Sequence, residues 1–134
     1  MAMATAQMRT GAWGERVAAR RLRVHGWWVL AHRERSFGAE IDLVARRGRV
    51  LAICEVKTRA RLGPIGPVGP RQIERIRRAA EAYCALHPEL ATLQVRLDLI
   101  LVVPRRLRPA RVLHVRHGLE SPALEQPPPP RRPR

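Results

Sequence analysis

Residues 40–58 read EIDLVARRGRVLAICEVKT, two β-prone runs on either side of a basic segment that contains one glycine. Residues 40–45 and 50–58 are rich in the aliphatic side chains that strands favour. Residues 46–49 are short and include Gly48, which is typical of a tight turn. The segment therefore predicts a β-hairpin.

Charged and apolar residues alternate along both predicted strands. Residues two apart share one face of a strand, so Glu40 and Asp42 are expected on the same face, as are Glu55 and Lys57 on the next strand. The opposite face would hold the intervening residues, which are Ile41, Leu43, Cys54 and Val56. The hairpin thus has one predicted polar face and one predicted core face.

The polar face gathers three carboxylates beside one amine. A turn centred on residues 47 and 48 predicts Glu40 opposite Glu55, and Asp42 opposite Ile53. Like charges on facing strands destabilise a hairpin unless something neutralises them, and a divalent cation would do so. Oxygen ligands select hard ions, so Mg²⁺ or Mn²⁺ is the expected cofactor.

Asp42 and Glu55 are the predicted metal ligands, joined by the backbone carbonyl of Val56. Lys57 is the only lysine among 26 basic residues, and its ammonium group can orient a water or lower its pKa, a role that guanidinium fills poorly. The pattern would suit metal-assisted phosphodiester hydrolysis by Asp42, Glu55 and Lys57, although a motif this short favours the alternative when it is taken alone. The alternative is a polar strand face whose Glu55–Lys57 ion pair lies in solvent.

Predicted helices and strands flank the hairpin on both sides. Thr10 is a candidate cap for a helix over residues 11–25, and residues 71–87 show apolar residues at helical spacing. Residues 27–31, 95–103 and 112–115 are predicted strands, and residues 32–39 and 63–70 are predicted connections. The order α-β-β-β-α-β-β predicts an α/β domain around one mixed sheet flanked by helices.

The length of 134 residues suits one domain, which we place at residues 10–117. Residues 1–9 are predicted to be a flexible N-terminus, and residues 118–134, rich in proline and arginine, a disordered tail. No segment resembles a secretory signal or reaches the roughly 20 apolar residues of a membrane span. A cytoplasmic location is expected.

The formal net charge of +15 predicts a polyanionic partner, nucleic acid first and an anionic membrane surface as the competitor. Arg59, Arg61 and Arg71 flank the predicted acidic site and are candidate contacts to a phosphate backbone. Glu40 and Asp98 are expected to support the site without acting in it directly.

Four motifs together resemble one known family. They are Gly11-x-x-Gly14-Glu15-x-x-Ala18, Glu40-Ile41-Asp42-Leu43-Val44, Glu55-Val56-Lys57-Thr58-Arg59 and Arg96-Leu97-Asp98. Their order and spacing, over residues 11–103, are similar to those of the YraN-like family of uncharacterised bacterial proteins. That family resembles the PD-(D/E)xK nucleases, including archaeal Holliday junction resolvases.

The resemblance implies a restriction-endonuclease-like fold with Asp42, Glu55 and Lys57 in catalytic positions and Glu15 as a further acid from a helix. It also implies DNA as the partner, branched DNA in particular, and a homodimer. From the residues alone Glu15 has two interpretations, an inward-facing acid or one that complements the helix dipole. Three functions stay open: a metal-dependent DNA endonuclease, a non-catalytic nucleic-acid-binding module on the same fold, and a basic adaptor.

Overall fold

The computed structural model describes residues 2–36, 39–60 and 69–119. The helices are α1 (Ala2–Val24) and α2 (Pro70–Leu86), with a short 3-10 turn at Pro88–Leu90. The strands are β1 (Trp28–Ser36), β2 (Ala39–Arg47), β3 (Val50–Thr58), β4 (Gln94–Val103) and β5 (Arg111–Val115). The predicted order of elements is confirmed.

The strands form one mixed sheet in the order β1-β2-β3-β4-β5. Neighbouring strands are antiparallel except β3 and β4, which run parallel. Parallel neighbours need a crossover connection, and α2 supplies it. The predicted α/β class is confirmed.

Each helix covers one face of this sheet. The α2-side cluster packs residues such as Ile76, Ala80 and Tyr83 of α2 on Leu51, Ile53, Leu97 and Leu99. The α1-side cluster packs Ala18, Ala19 and Leu22 of α1 on Leu43, Ala52, Cys54 and Ile100. The central strands are therefore buried on both faces, which explains their nearly continuous apolar sequence. Neither helix in the described part of the chain is long and apolar enough to span a membrane.

Two of the predicted element boundaries are wrong. Helix α1 begins at Ala2, so residues 2–9 continue the helix and Thr10 lies inside it; alanine, methionine and glutamine there are good helix formers. Strand β1 runs to Ser36, through most of the predicted connection at residues 32–39. Leu119 is fully buried in the α2-side cluster, so packing extends beyond residue 117. The rest of the predicted tail, residues 120–134, lies outside the described residues.

The hairpin of β2 and β3 differs from its predicted register by two residues. Arg47 pairs with Val50 and Leu43 with Cys54, so the turn is centred one position later than predicted. Gly48 adopts a φ of 59°, the left-handed conformation that a two-residue hairpin turn favours. Continued by one step, the observed register sets Asp42 across from Glu55 instead of Ile53. A two-residue shift keeps the sheet faces unchanged and brings these two acids closer.

Candidate functional site

Asp42 lies where β2 separates from β3. The pairing between the two strands ends at Leu43 and Cys54, although both strands continue. Beyond that point the backbone N–H of Val56 donates a hydrogen bond to Oδ2 of Asp42 at 2.8 Å. The carboxylate thus accepts a backbone donor of the neighbouring strand beyond the last pair of the ladder.

The regular alternation of β2 breaks at Asp42. Leu43 packs in the α1-side cluster, as Cys54 does, whereas Ile41 packs in the α2-side cluster. The prediction that Ile41 and Leu43 share one face is therefore wrong. The break in alternation coincides with the end of the β2–β3 pairing at Leu43.

Glu55 is held by two side chains on the α2 side. Its Oε1 accepts a hydrogen bond from Nε2 of Gln72 at 3.0 Å and lies 3.1 Å from Nζ of Lys57. Glu55 is 9% exposed, so these partners offset much of the cost of burying its charge. The predicted Glu55–Lys57 pair is present and largely shielded from solvent. Sequence analysis did not identify Gln72, because only the packing of α2 brings this residue close to β3.

Helix α1 supplies Glu15 through a close approach to the end of β3. Gly14 is buried, and a Cβ added there would overlap Oγ1 of Thr58. The glycine lets the helix backbone approach the strand more closely than any other residue would. Glu15 follows directly and points toward the acids, as the inward-facing interpretation predicted.

Three acids lie close enough to share a cation. Carboxylate oxygens of Glu15, Glu40 and Asp42 all lie within 4.8 Å of one another. This acid triad includes Glu40, which was expected only to support the site, and it omits Glu55. The N–H of Val56 is engaged by Asp42, and metal ligation by its carbonyl stays a prediction.

Arg33 is a member of the site that the sequence did not reveal. Its Nε donates to Oε2 of Glu15 at 2.7 Å, and its φ of 47° is uncommon for a non-glycine residue. The hydrogen bond to Glu15, followed by the charges of Glu15, Glu40 and Asp42, raises the pKa of Arg33. Residues 32–39 gave no signal for this role, because the contact joins β1 to a helix 18 residues earlier.

The pKa of Asp42 reflects its burial and the charges around it. Burial, followed by the charge of Glu55, raises its pKa from 3.8 to about 7, although the hydrogen bond from Val56 acts in the opposite direction. A bound cation would favour the charged form and reverse this shift. The oxygen-only donors and the crowded negative charge therefore fit Mg²⁺ or Mn²⁺.

The comparisons with known proteins agree with this architecture. A family model described as "Uncharacterised protein family UPF0102" matches residues 14–102, the segment from Gly14 to the penultimate residue of β4. The chain belongs to the UPF0102 family. The resemblance to the uncharacterised YraN-like family is thereby confirmed.

Three UPF0102 relatives show how far the similarity extends. A UPF0102 protein of Rhizorhabdus wittichii is 43% identical over 112 residues, covering 82% of this chain and 92% of its own length. One from Paramagnetospirillum magneticum is 48% identical over 107 residues, covering 76% of this chain and 83% of its own length. One from Kineococcus radiotolerans is 40% identical over 108 residues, covering 78% of this chain and 88% of its own length. The chain is thus similar to these proteins over most of their length.

The structure describes two of the three predicted phosphate contacts of this UPF0102 chain. Arg59 follows β3, with an exposed side chain and a backbone N–H that donates to the carbonyl of Val102 at 3.0 Å. Arg71 is exposed in the first turn of α2, next to Gln72. Arg61 lies outside the described residues. Nucleic-acid binding by these residues stays a prediction.

Asp98, predicted to support the acids, forms a separate cluster in this UPF0102 chain. It is fully buried, and its oxygens accept hydrogen bonds from Arg96 (2.8 and 2.9 Å), His114 (2.7 Å) and the backbone N–H of His117 (3.0 Å). Burial alone would raise the pKa of Asp98, but the bonds from His114 and Arg96 lower it to about 2. These bonds tie β4 to β5 and to the turn that follows, and support of the acids by Asp98 stays a prediction.

Proposed function

We propose that this protein is a metal-dependent phosphodiesterase that cuts DNA. The observation that carries the proposal is the convergence of Glu15, Glu40 and Asp42 within 4.8 Å, together with the partly buried Glu55–Lys57 pair. A cluster of this kind raises the free energy of the metal-free chain through charge repulsion. A divalent cation relieves that repulsion and introduces the chemistry that a phosphodiester requires.

The acid triad would hold the ion, with Glu55 as the further ligand predicted from the sequence. When bound, the ion would stabilise negative charge on the scissile phosphate. Lys57 is 27% exposed at its side chain, so its ammonium group can reach a water while Glu55 fixes its position. Gln72 in turn fixes the Glu55 carboxylate. The chain's own contribution is thus to orient a nucleophilic water and to hold the substrate phosphate near it.

Arg59 and Arg71 would contact neighbouring phosphates of the DNA strand, and the net charge of +15 would attract it from a distance. Similarity to junction-cleaving nucleases favours branched DNA as the substrate, cut by a homodimer. Action in the cytoplasm, where bacterial DNA is accessible, is part of the proposal.

The test is cleavage of linear, flapped and four-way DNA with Mg²⁺, Mn²⁺ or a chelator. Wild type is expected to cut only with metal, and Asp42→Ala to lose activity by about a hundredfold or more. Lys57→Arg should also lose activity while it retains DNA binding, because guanidinium cannot replace the compact ammonium group. Glu89→Gln, a charge-matched change in the 3-10 turn before β4, is the control and should cut like wild type. Cleavage that persists in Asp42→Ala would contradict the assignment.

A second function is favoured by one observation. Arg33 and Lys57 form ion pairs with Glu15 and Glu55, as charged residues do in a stable non-catalytic fold. The protein would then be a nucleic-acid-binding module. DNA binding that is unaffected by chelator and by Asp42→Ala, with no cleavage under any metal, would support this function over the first.

A further inference from the structure

A cavity with a mixed polar and apolar lining lies on the α1 side of the sheet. It has a volume of about 270 Å³ and is bounded by α1, the end of β2, and β5 with its following turn. Six of its lining residues carry the argument: Arg21, His25, Trp27, Arg47, His114 and Arg116. We call these residues the cationic pocket.

Arg47 is held in place within the cationic pocket. Its guanidinium carbon lies 4.8 Å from the centre of the Trp27 ring, and Nη1 donates to the backbone carbonyl of His25 at 3.2 Å. Trp27 is buried and also makes an edge contact with the His114 ring, with 5.8 Å between ring centres. The aromatic floor therefore orients two of the groups that line the cavity, which reduces the entropy cost of binding a ligand.

The charge of the cationic pocket is unbalanced. Its lining contains three arginines and no carboxylate. Within residues 2–36, 39–60 and 69–119, Arg21, Arg47 and Arg116 form no ion pair with an acid. Asp98 lies behind His114 and is already bound by Arg96. Three arginines that line one cavity raise the local positive potential, so an anion bound there would stabilise the folded chain.

We propose that the cationic pocket binds a phosphate group, carried by a nucleic-acid strand or by a nucleotide. Arginine presents paired N–H donors that match the oxygens of a phosphate, and three arginines suit a terminal phosphate of charge about −2 better than an internal phosphodiester or a carboxylate of charge −1. His114 is oriented by Asp98 through one ring nitrogen, an arrangement that fixes the direction of the ring. The volume accommodates a phosphate with part of its sugar.

The cationic pocket is separate from the acid triad. Arg47 lies five residues along β2 from Asp42, about 17 Å in an extended strand. The pocket therefore binds phosphate without any contribution from the metal site, and its existence does not depend on nuclease activity. If DNA is the substrate, the pocket would hold a terminal phosphate of a strand about five nucleotides from the cut.

Binding is tested by titrating inorganic phosphate into the full chain in chelator, at constant ionic strength, by calorimetry. The variant Arg21→Gln/Arg116→Gln removes two lining charges. We expect its phosphate affinity to fall about tenfold or more, since each charge-assisted bond lost has an effect of that size. The matched control Arg75→Gln/Arg108→Gln removes two exposed charges elsewhere and should stay within about twofold of wild type.

Two further measurements complete the test. Phosphate should shift the ring resonances of His114 and Trp27 in wild type and in the control, and far-UV circular dichroism should show that both variants fold. The phosphate is assigned to a nucleic-acid strand if a 5′-phosphorylated oligonucleotide binds more tightly than its dephosphorylated form, and if this difference is lost when Arg21 and Arg116 are replaced. A nucleoside monophosphate that binds wild type more tightly than the Arg21→Gln/Arg116→Gln variant, with no such difference between the oligonucleotides, assigns the phosphate to a nucleotide. Equal phosphate affinity in the two double variants, or tighter binding of an acidic peptide than of phosphate, overturns the proposal.

Discussion

Oδ2 of Asp42 lies 2.8 Å from the backbone nitrogen of Val56, just beyond the last pair of the β2–β3 ladder. The acid therefore has two roles that compete. As a hydrogen-bond acceptor it satisfies a backbone donor of the sheet, and as a charge it raises the energy of a crowded acidic site. Substitutions that separate these two roles give the sharpest tests of the site.

Asparagine at position 42 keeps an acceptor for Val56 and removes the charge. The raised pKa of Asp42 means that the folded chain holds a proton that the unfolded chain releases above about pH 4. The corresponding stability is present below about pH 4 and is lost as the pH rises through about 7. We expect Asp42→Asn to raise the free energy of unfolding by about 1 to 2 kcal/mol at about pH 8 in chelator. Urea denaturation across this pH range provides the measurement.

Mg²⁺ should reduce this difference, because a bound cation stabilises the charged wild-type site. The control is Glu74→Gln, an exposed acid paired with Arg78, which should change stability by less than about 0.5 kcal/mol at every pH. A wild-type stability that is flat between about pH 4 and 7 would show that Asp42 is an ordinary carboxylate.

Mn²⁺ affinity distinguishes the two candidate ligand sets. The observed triad contains Glu40, whereas the sequence-predicted set contains Glu55. If the triad holds the ion, Glu40→Gln should weaken Mn²⁺ binding about tenfold or more, and Glu55→Gln should have a smaller effect. Electron paramagnetic resonance of free Mn²⁺ measures the affinity. The opposite ranking would restore Asp42 and Glu55 as the principal ligands.

Asp98 is expected to stabilise the fold far more than any surface acid. Removal of its charge would leave Arg96, only 11% exposed, without its bidentate partner. We expect Asp98→Asn to lower the free energy of unfolding by about 3 kcal/mol near neutral pH. The lowered pKa of Asp98 predicts that its contribution is present above about pH 4 and is lost as the pH falls to about 2. Chemical denaturation of the variant and wild type at both pH values measures this, and an effect below about 0.5 kcal/mol would contradict it.

The sequence predicted the element order because periodicity is a local property. Strand β3 was predicted at its observed bounds, α2 was predicted from its apolar spacing, and α1 was predicted from a candidate cap at Thr10. The predicted register of the β2–β3 hairpin was wrong because a four-residue basic turn permits more than one centre. The position of the centre depends on which residue adopts a positive φ. Gly48 takes it here, within a turn that pairs Arg47 with Val50.

Sequence analysis predicted contacts within the site only where the residues lie close together in one segment. Glu55 and Lys57 are two residues apart on one strand, so their pairing followed from strand geometry. Arg33 and Gln72 reach the acids across 18 and 17 residues of sequence, through helix packing that no local pattern encodes. The break of alternation at Asp42 also depends on tertiary structure, since it arises where two strands separate.

Gly14 offers a test of how closely α1 must approach β3. Alanine there would overlap Oγ1 of Thr58, so we expect Gly14→Ala to destabilise the chain by about 1 to 3 kcal/mol, despite the better helix propensity of alanine. Thr58→Ala removes the overlapping oxygen. The double variant should then recover, with a coupling energy of about 1 kcal/mol or more in thermal or urea unfolding.

The same pair of substitutions reports on the acid triad, because Glu15 follows Gly14 directly. A helix displaced from β3 carries Glu15 away from Asp42, so Gly14→Ala should weaken Mn²⁺ binding and the double variant should restore it. Gly11→Ala is the matched control, since a Cβ at Gly11 meets no atom within 4 Å. Its only expected effect is a gain of up to about 1 kcal/mol from helix propensity. Equal effects of the two glycine substitutions would mean that the approach of α1 to Thr58 does not position Glu15.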